Sequence, residues 1–184
     1  FGIVVTLFLP LIEGIKCAAV ADPTDGLAVA KMVSSQKASI MCGTSTFFRL
    51  YAKNTKIHPL MFDSLRIKVK REKKLRDDVR FEFKKRFGKD ILEGYGTTET
   101  SPVASCNLPD KISEDFEVQI GQKIGTVGMA IPGTTIKIVD PSTFIELNTG
   151  EEGMVLISGI QVMKAYLNDE EKTKSVLKNI KGKT

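Results

Sequence analysis

The chain of 184 residues contains no tryptophan, one histidine and three cysteines. Each scarcity removes a class of function. The single histidine, His58, stands between Ile57 and Pro59 with no serine or cysteine partner pattern around it, which argues against a hydrolase triad and leaves a loop histidine. Cys17, Cys42 and Cys106 are odd in number and scattered, and they offer neither a disulfide framework nor a metal-ligand spacing. They read as reduced core thiols of a cytosolic protein. Long apolar runs are missing too. Residues 1–12 are almost wholly apolar but fall short of the roughly 20 residues that a bilayer-crossing helix needs. No basic segment with a small-residue cleavage site opens the chain, so no secretory signal is expected.

Apolar side chains are nevertheless plentiful. Hydrophobic residues make up 42%, enough to build the core of one domain, or of one and a small fraction. A formal net charge of +5 suits anionic partners such as nucleotides, acyl carriers or a lipid surface, without choosing among them. The basic run Lys70-Arg71-Glu72-Lys73-Lys74 has no interleaved aromatics and belongs to no nucleic-acid-binding module, so no nucleic acid partner is expected.

Periodicity divides the chain in two. Residues 1–14, apolar nearly all round, predict a buried helix closed by Gly14 and interrupted at Pro10. Residues 16–21 predict a short buried strand stopped by Asp22-Pro23. Thr24 or Asp25 can cap a helix to about Ser35, with Leu27, Ala28, Ala30, Lys31 and Val33 giving a rough apolar face. A strand at 38–42 runs through Gly43-Thr44-Ser45-Thr46 into a helix at 47–53, in which Phe47 and Phe48 read as core. Residues 64–69 alternate as a strand does. Leu75, Val79, Phe83 and Phe87 then recur every four residues, the buried stripe of a helix that Gly88 ends. The charges on its other faces are expected in solvent.

Strands alternating with helices imply an α/β class with a mostly parallel sheet and packed helices. Beyond them come a long polar loop at 105–122, alternating strands at 134–140 and 153–158, and a short helix at 170–179. These read as a small antiparallel β unit. The expected division is 1–122 for the α/β half and 123–184 for the β-rich subdomain with its short helix.

The stretch with most chemistry is Leu92-Glu93-Gly94-Tyr95-Gly96-Thr97-Thr98-Glu99-Thr100-Ser101-Pro102, which follows the apolar strand-like run Asp90-Ile91-Leu92. Gly94 and Gly96 let the backbone approach a flat ligand, and Tyr95 offers a face to a base. Thr97, Thr98 and Thr100 can donate to phosphate oxygens. Glu99 is a hard oxygen ligand of the kind Mg²⁺ takes beside substrate phosphates. In an open parallel sheet ligands sit beyond the carboxyl ends of the strands, where this loop is expected to fall.

The run Gly94-Tyr95-Gly96-Thr97-Thr98-Glu99 resembles the Tyr-Gly-x-Thr-Glu motif of the adenylate-forming enzymes, the AMP-binding superfamily that includes acyl-CoA synthetases, luciferases and peptide-synthetase adenylation domains. Two further segments are similar to that family in the same order. One is Gly125-Thr126-Val127-Gly128-Met129-Ala130-Ile131-Pro132-Gly133, leading into Ile136-Lys137-Ile138-Val139-Asp140. The other is Thr149-Gly150-Glu151-Glu152-Gly153-Met154-Val155-Leu156-Ile157-Ser158-Gly159, followed by Val162-Met163-Lys164-Ala165-Tyr166-Leu167-Asn168 and Thr173.

The resemblance implies an acid–thiol ligase that uses ATP and Mg²⁺ to turn a fatty acid into an acyl-adenylate and then passes the acyl group to a thiol, of acyl carrier protein or CoA. It implies Thr98 on the α-phosphate, Glu99 on Mg²⁺, and Gly94, Tyr95, Gly96 and Thr97 in nucleotide binding. It also places Phe47 and Phe48 near an acyl pocket. Within the family the motif wording looks like the acyl–acyl-carrier-protein synthetase part of bacterial 2-acylglycerophosphoethanolamine acyltransferases, enzymes of phospholipid metabolism at the inner membrane. Otherwise the setting implied is cytoplasmic.

Departures from the family pattern matter as well. Ala165 replaces the usual glycine before Tyr166. Lys70, Arg71, Glu72 and Lys73 stand where relatives have the small-residue turn against which adenine packs. Either nucleotide binding is lost there, or the stretch is altered, or it is rearranged and still works. No Gly/Ser/Thr-rich phosphate loop ending in lysine, no Thr-Gly-Asp segment and no lid with a catalytic lysine is found. The chain is therefore expected to be a central fragment that does not catalyse adenylation by itself. The alternative is a non-catalytic binding module that keeps the fold without the adenine slot.

Overall fold

A computed structural model describes residues 2–70, 76–115 and 117–179. The chain forms two compact units, Phe1–Tyr95 with Ser105–Met129, and Gly96–Ala104 with Ala130–Thr184.

The first unit opens with a π-turn, Val4–Phe8, and a short helix α1 (Leu9–Ile12), neither of which has a buried residue. The helix expected here forms, but not in a core: Ile12 is 79% exposed and Leu11 64%. The stretch 2–12 is helical throughout, but its hydrogen bonding changes from the π-turn to α1 at Leu9, beside Pro10, which is where the interruption was expected. Gly14, at φ 65°, follows as its stop. Residues 16–21 form no strand and are mostly exposed. The first strand of the sheet lies at an edge, and residues 16–21 do not pair with its outer side.

From Asp25 onward the local signals hold. The Asp25 carboxylate accepts from the N–H groups of Leu27 and Ala28, at 3.1 and 3.0 Å, and starts α2 (Gly26–Gln36). That helix buries Val29, Ala30 and Val33. Strand β1 (Ile40–Gly43) leads into α3 (Ser45–Lys53), and β2 (Ile67–Lys70) precedes α4 (Asp77–Phe87). Both β1–β2 and β2–β3 pair in parallel, β3 being Leu92–Tyr95. The next strand, β4 (Ser105–Cys106), runs antiparallel to β3. After a small hairpin of β5 (Lys111–Ile112) and β6 (Val118–Gln119), the short β7 (Met129–Ala130) ends the sheet order β1-β2-β3-β4-β7.

Helices α3 and α4 meet through aromatic rings. Phe48 and Phe83 are fully buried with centroids 5.3 Å apart, edge to face, and Phe87 lies 4.8 Å from both Phe83 and Phe62. Phe48 is thus core, and Phe47 packs on the margin of the same cluster. His58 has a local role: its Nδ1 accepts from the Leu60 N–H at 3.3 Å and caps the turn Pro59–Phe62. Val79, Phe83 and Phe87 form the stripe read from the sequence, whose fourth member, Leu75, lies outside the described residues, and Gly88 closes α4 at φ 65°.

The charged faces of α4 differ from expectation. Arg80 turns inward to Glu93, and Arg86 donates to the carbonyls of Ala52, Asn54 and Ile57 at 2.6–2.8 Å. Both flank the apolar stripe closely enough for a long side chain to reach buried acceptors. The loop at 105–122 is also tied down. Asn107 donates to the carbonyls of Glu93 and Thr126, at 3.0 and 2.8 Å, and accepts from the Lys123 N–H at 2.9 Å.

The second unit is built on a ladder of six antiparallel pairs between β8 (Thr134–Val139) and β9 (Met154–Gly159). A helix, α5 (Glu170–Val176), follows, with the Asp169 carboxylate accepting from the Lys172 N–H at 2.9 Å as its cap. The parallel β1-β2-β3 core with its helices, followed by an antiparallel unit, is the α/β class that the strand–helix alternation implies. Among the described residues, no helix is long and apolar enough to cross a membrane.

Candidate nucleotide-binding loop

In the first unit, β3 carries the start of the motif. Gly94 pairs with Cys106 and Tyr95 with Ser105. A Cβ on Gly94 would stand 3.1 Å from the Ser105 carbonyl oxygen, so the strand contact favours glycine. Tyr95 is exposed. Just before them the buried Glu93 receives Arg80 Nη2 at 2.5 Å, which fixes the end of β3 to α4.

In the second unit, the chain passes Gly96 and turns through a 3-10 helix, Thr98–Thr100. A Cβ on Gly96 would lie 2.0 Å from the Pro102 carbonyl oxygen, a clash only glycine avoids. The Thr100 hydroxyl accepts from the Thr97 N–H at 2.9 Å and donates to the Thr97 carbonyl at 3.1 Å. Thr100 is buried, and its hydroxyl holds the turn closed rather than facing a phosphate, contrary to the sequence expectation. Thr98 is exposed at the turn's first position.

Glu99 is held at two points. The Tyr166 hydroxyl donates to its Oε1 at 2.5 Å, and the Met163 N–H donates to its carbonyl at 2.8 Å. The Tyr166 bond, with help from Glu99's own N–H, the Thr97 hydroxyl and the Lys172 charge, keeps the Glu99 carboxyl below its ordinary pKa. The same bond pushes the Tyr166 phenol upward. Lys172 Nζ sits 4.5 Å from the centre of the Tyr166 ring. Glu99 is thus an anion fixed in direction.

Among the described residues no three or more His, Cys, Asp and Glu are grouped so that they could hold a metal ion. A lone carboxylate cannot build a closed metal cage. It does fit a hard divalent cation that arrives on a nucleotide, where phosphates and water fill the remaining positions. Glu99 suits magnesium in that way.

The sequence brought residues 94–100 forward but missed Tyr166 and Lys172 as neighbours of Glu99. Tyr166 belongs to a matching segment, yet nothing local says that its hydroxyl crosses 67 residues to one carboxylate. Of the charged stretch at 70–73, residues 71–73 lie outside the described residues, as does the side chain of Lys70.

A sequence profile described as AMP-binding enzyme matches residues 1–167. The chain belongs to that family. It is similar to a long-chain-fatty-acid–CoA ligase of Haemophilus influenzae, 27% identical over 180 residues, which cover 97% of this chain and 30% of the ligase. A mitochondrial medium-chain acyl-CoA ligase of Danio rerio is 42% identical over 89 residues, covering 48% of this chain and 14% of that protein. Among solved structures, ATP-bound MatB from Rhodopseudomonas palustris superposes with a TM-score of 0.78 at 26% identity, covering 97% of this chain and 33% of MatB. The chain therefore spans about a third or less of these proteins.

Proposed function

We propose that this chain is the central part of a fatty-acid-activating ligase, and that residues 94–99 serve its nucleotide. The observation that carries the reading is the fixed Glu99 carboxylate beside the exposed Thr98, in a loop that follows β3 of an AMP-binding enzyme. In the reaction a fatty-acid carboxylate oxygen bonds to the α-phosphorus of ATP. The bridge to the β-phosphate breaks, and pyrophosphate leaves. A thiolate sulfur then bonds to the acyl carbon and AMP leaves.

An anion must approach an anion in the first step, so the barrier is set by how well charge is met at the phosphate. Thr98 donates to the α-phosphate, Gly94, Tyr95 and Gly96 form one side of the adenine slot, and Thr97 keeps the turn in shape for both. Glu99 holds Mg²⁺, which when bound neutralises phosphate charge.

The thiol is that of CoA or acyl carrier protein. The names of the long-chain and medium-chain CoA ligases support the first, and the wording of the motifs supports the second. With acyl carrier protein the enzyme would serve phospholipid metabolism, cytoplasmic with association at the inner membrane. The division into an α/β half at 1–122 and a β-rich part at 123–184 belongs to the same proposal, as does inactivity of the 184 residues alone. A non-catalytic module remains the second reading, supported by the charged residues at 70–73. Small residues placed there rescue nucleotide binding if only the slot is blocked.

The test is pyrophosphate release by the whole protein with ATP and a fatty acid, with CoA and acyl carrier protein offered in turn. Thr98→Ala and Glu99→Ala are expected to lower kcat/KM by roughly 10²–10³-fold. Full activity in Glu99→Ala, or robust acyl-adenylate formation by residues 1–184 alone, contradicts the reading.

A further inference from the structure

Glu99 is tied to one short stretch by both its backbone and its side chain. The Met163 N–H donates to the Glu99 carbonyl at 2.8 Å, and three residues later the Tyr166 hydroxyl donates to Glu99 Oε1 at 2.5 Å. Tyr166 is itself fixed. Its N–H donates to Thr173 Oγ1 at 2.9 Å, and that hydroxyl donates to the Asp169 carbonyl at 2.7 Å. The Lys172 ammonium stands 4.5 Å from the centre of the Tyr166 ring, a cation–π contact that resists rotation of the phenol away from the loop. All of these groups belong to the second unit.

A free glutamate on a surface turn samples several rotamers, and a metal that binds it must freeze them. Here the Tyr166 hydroxyl has already done so. We propose that Tyr166 is a positioning residue for Glu99. Its hydroxyl, steadied by Lys172 and Thr173, holds the carboxylate in the orientation that meets a magnesium–nucleotide, so the segment at 163–173 sets the metal-dependent part of nucleotide affinity. This rests on the reading of Glu99 as the magnesium carboxylate.

The alternative is that Tyr166 merely tethers the loop, and the two differ in a measurable way. A tether supports every form of nucleotide alike, whereas a positioning hydroxyl matters only when the metal is present. The experiment is calorimetric titration of the whole protein with adenylyl imidodiphosphate, once in excess Mg²⁺ and once in EDTA. Wild type, Tyr166→Phe, Glu99→Gln and the double variant are compared.

Tyr166→Phe is expected to weaken binding about tenfold in Mg²⁺ and to leave binding in EDTA unchanged. The double variant should be no worse than Glu99→Gln, because the hydroxyl acts through that carboxylate. Equal losses with and without metal overturn the inference and make Tyr166 a tether. A loss in Glu99→Gln with none in Tyr166→Phe overturns it while leaving the magnesium reading intact. No metal-dependent loss in Glu99→Gln overturns both.

Discussion

Arg80 and Glu93 form an ion pair at 2.5 Å with about a tenth of either side chain exposed, joining α4 to the strand that delivers the motif. Arg80 also donates to the Ile91 carbonyl at 3.1 Å. The pair therefore fixes β3 just before Gly94. A buried pair adds little over a well-packed apolar pair, but half of one is costly, because the remaining charge stays out of water. Arg80→Met is expected to destabilise the protein by about 3–5 kcal/mol, and Arg80→Met with Glu93→Leu to regain most of it. Urea unfolding midpoints check this. Equal midpoints for the single and double variants would contradict it.

Gly96 makes a second demand on the motif. Its missing Cβ leaves room for the Pro102 carbonyl, which an alanine would meet at 2.0 Å. Gly96→Ala should cost on the order of 1–3 kcal/mol and distort the turn that presents Thr98 and Glu99. Gly2→Ala, in open space, is the control. A melting temperature for Gly96→Ala equal to that of the control would count against the geometry.

The three thiols should separate by reactivity. Cys17 is exposed, whereas burial pushes the Cys42 thiol up to about 11 and also raises Cys106. At about pH 8 only roughly one Cys42 in a thousand is thiolate. Iodoacetamide followed by peptide mass analysis should modify Cys17 first and Cys42 last. Early loss of the Cys42 peptide would show that the sheet opens more readily than its packing allows.

How much of this was legible in the sequence depended on the range of the signal. Asp25 as a cap, the stripe of Val79, Phe83 and Phe87, and Gly88 as a stop are local, and each reads directly from spacing and residue type. Residues 16–21 failed because a strand needs a partner, and composition does not supply one. Of the buried helix expected at 1–14 only the burial failed, because apolar content says that a helix wants cover, not that cover is present. At the candidate site Gly96, Thr98 and Glu99 were legible as a motif. Thr100's inward hydroxyl, the Tyr166 bond to Glu99 and the inward turn of Arg80 were not, since each depends on which acceptor lies nearby after folding.

Asp140 supplies a pH-dependent element in the turn after β8. Its Oδ1 accepts from the N–H groups of Thr143 and Ser142, at 2.8 and 2.9 Å, and from the Thr143 hydroxyl. The Thr143 N–H, then the Ser142 N–H and the Thr143 hydroxyl, hold the carboxyl below its ordinary pKa. A depressed pKa in the folded chain means that the turn's stabilisation is present above the unfolded value of about 3.9 and is lost as pH falls through the lower folded one. The Ser142 and Thr143 amide resonances should titrate with a midpoint below about 3.9. A midpoint at or above that value would contradict the turn.

We propose that residues 94–99 meet the metal-bound nucleotide. Mn²⁺ in place of Mg²⁺ makes that contact visible, because its unpaired electrons broaden nearby amide resonances of the whole protein. With Mn²⁺ and adenylyl imidodiphosphate, the amides of Thr98, Glu99, Met163 and Tyr166 are predicted to broaden first, and Glu99→Gln to abolish the effect. Broadening centred elsewhere, for instance on the β5–β6 hairpin, and indifferent to Glu99 would contradict the account.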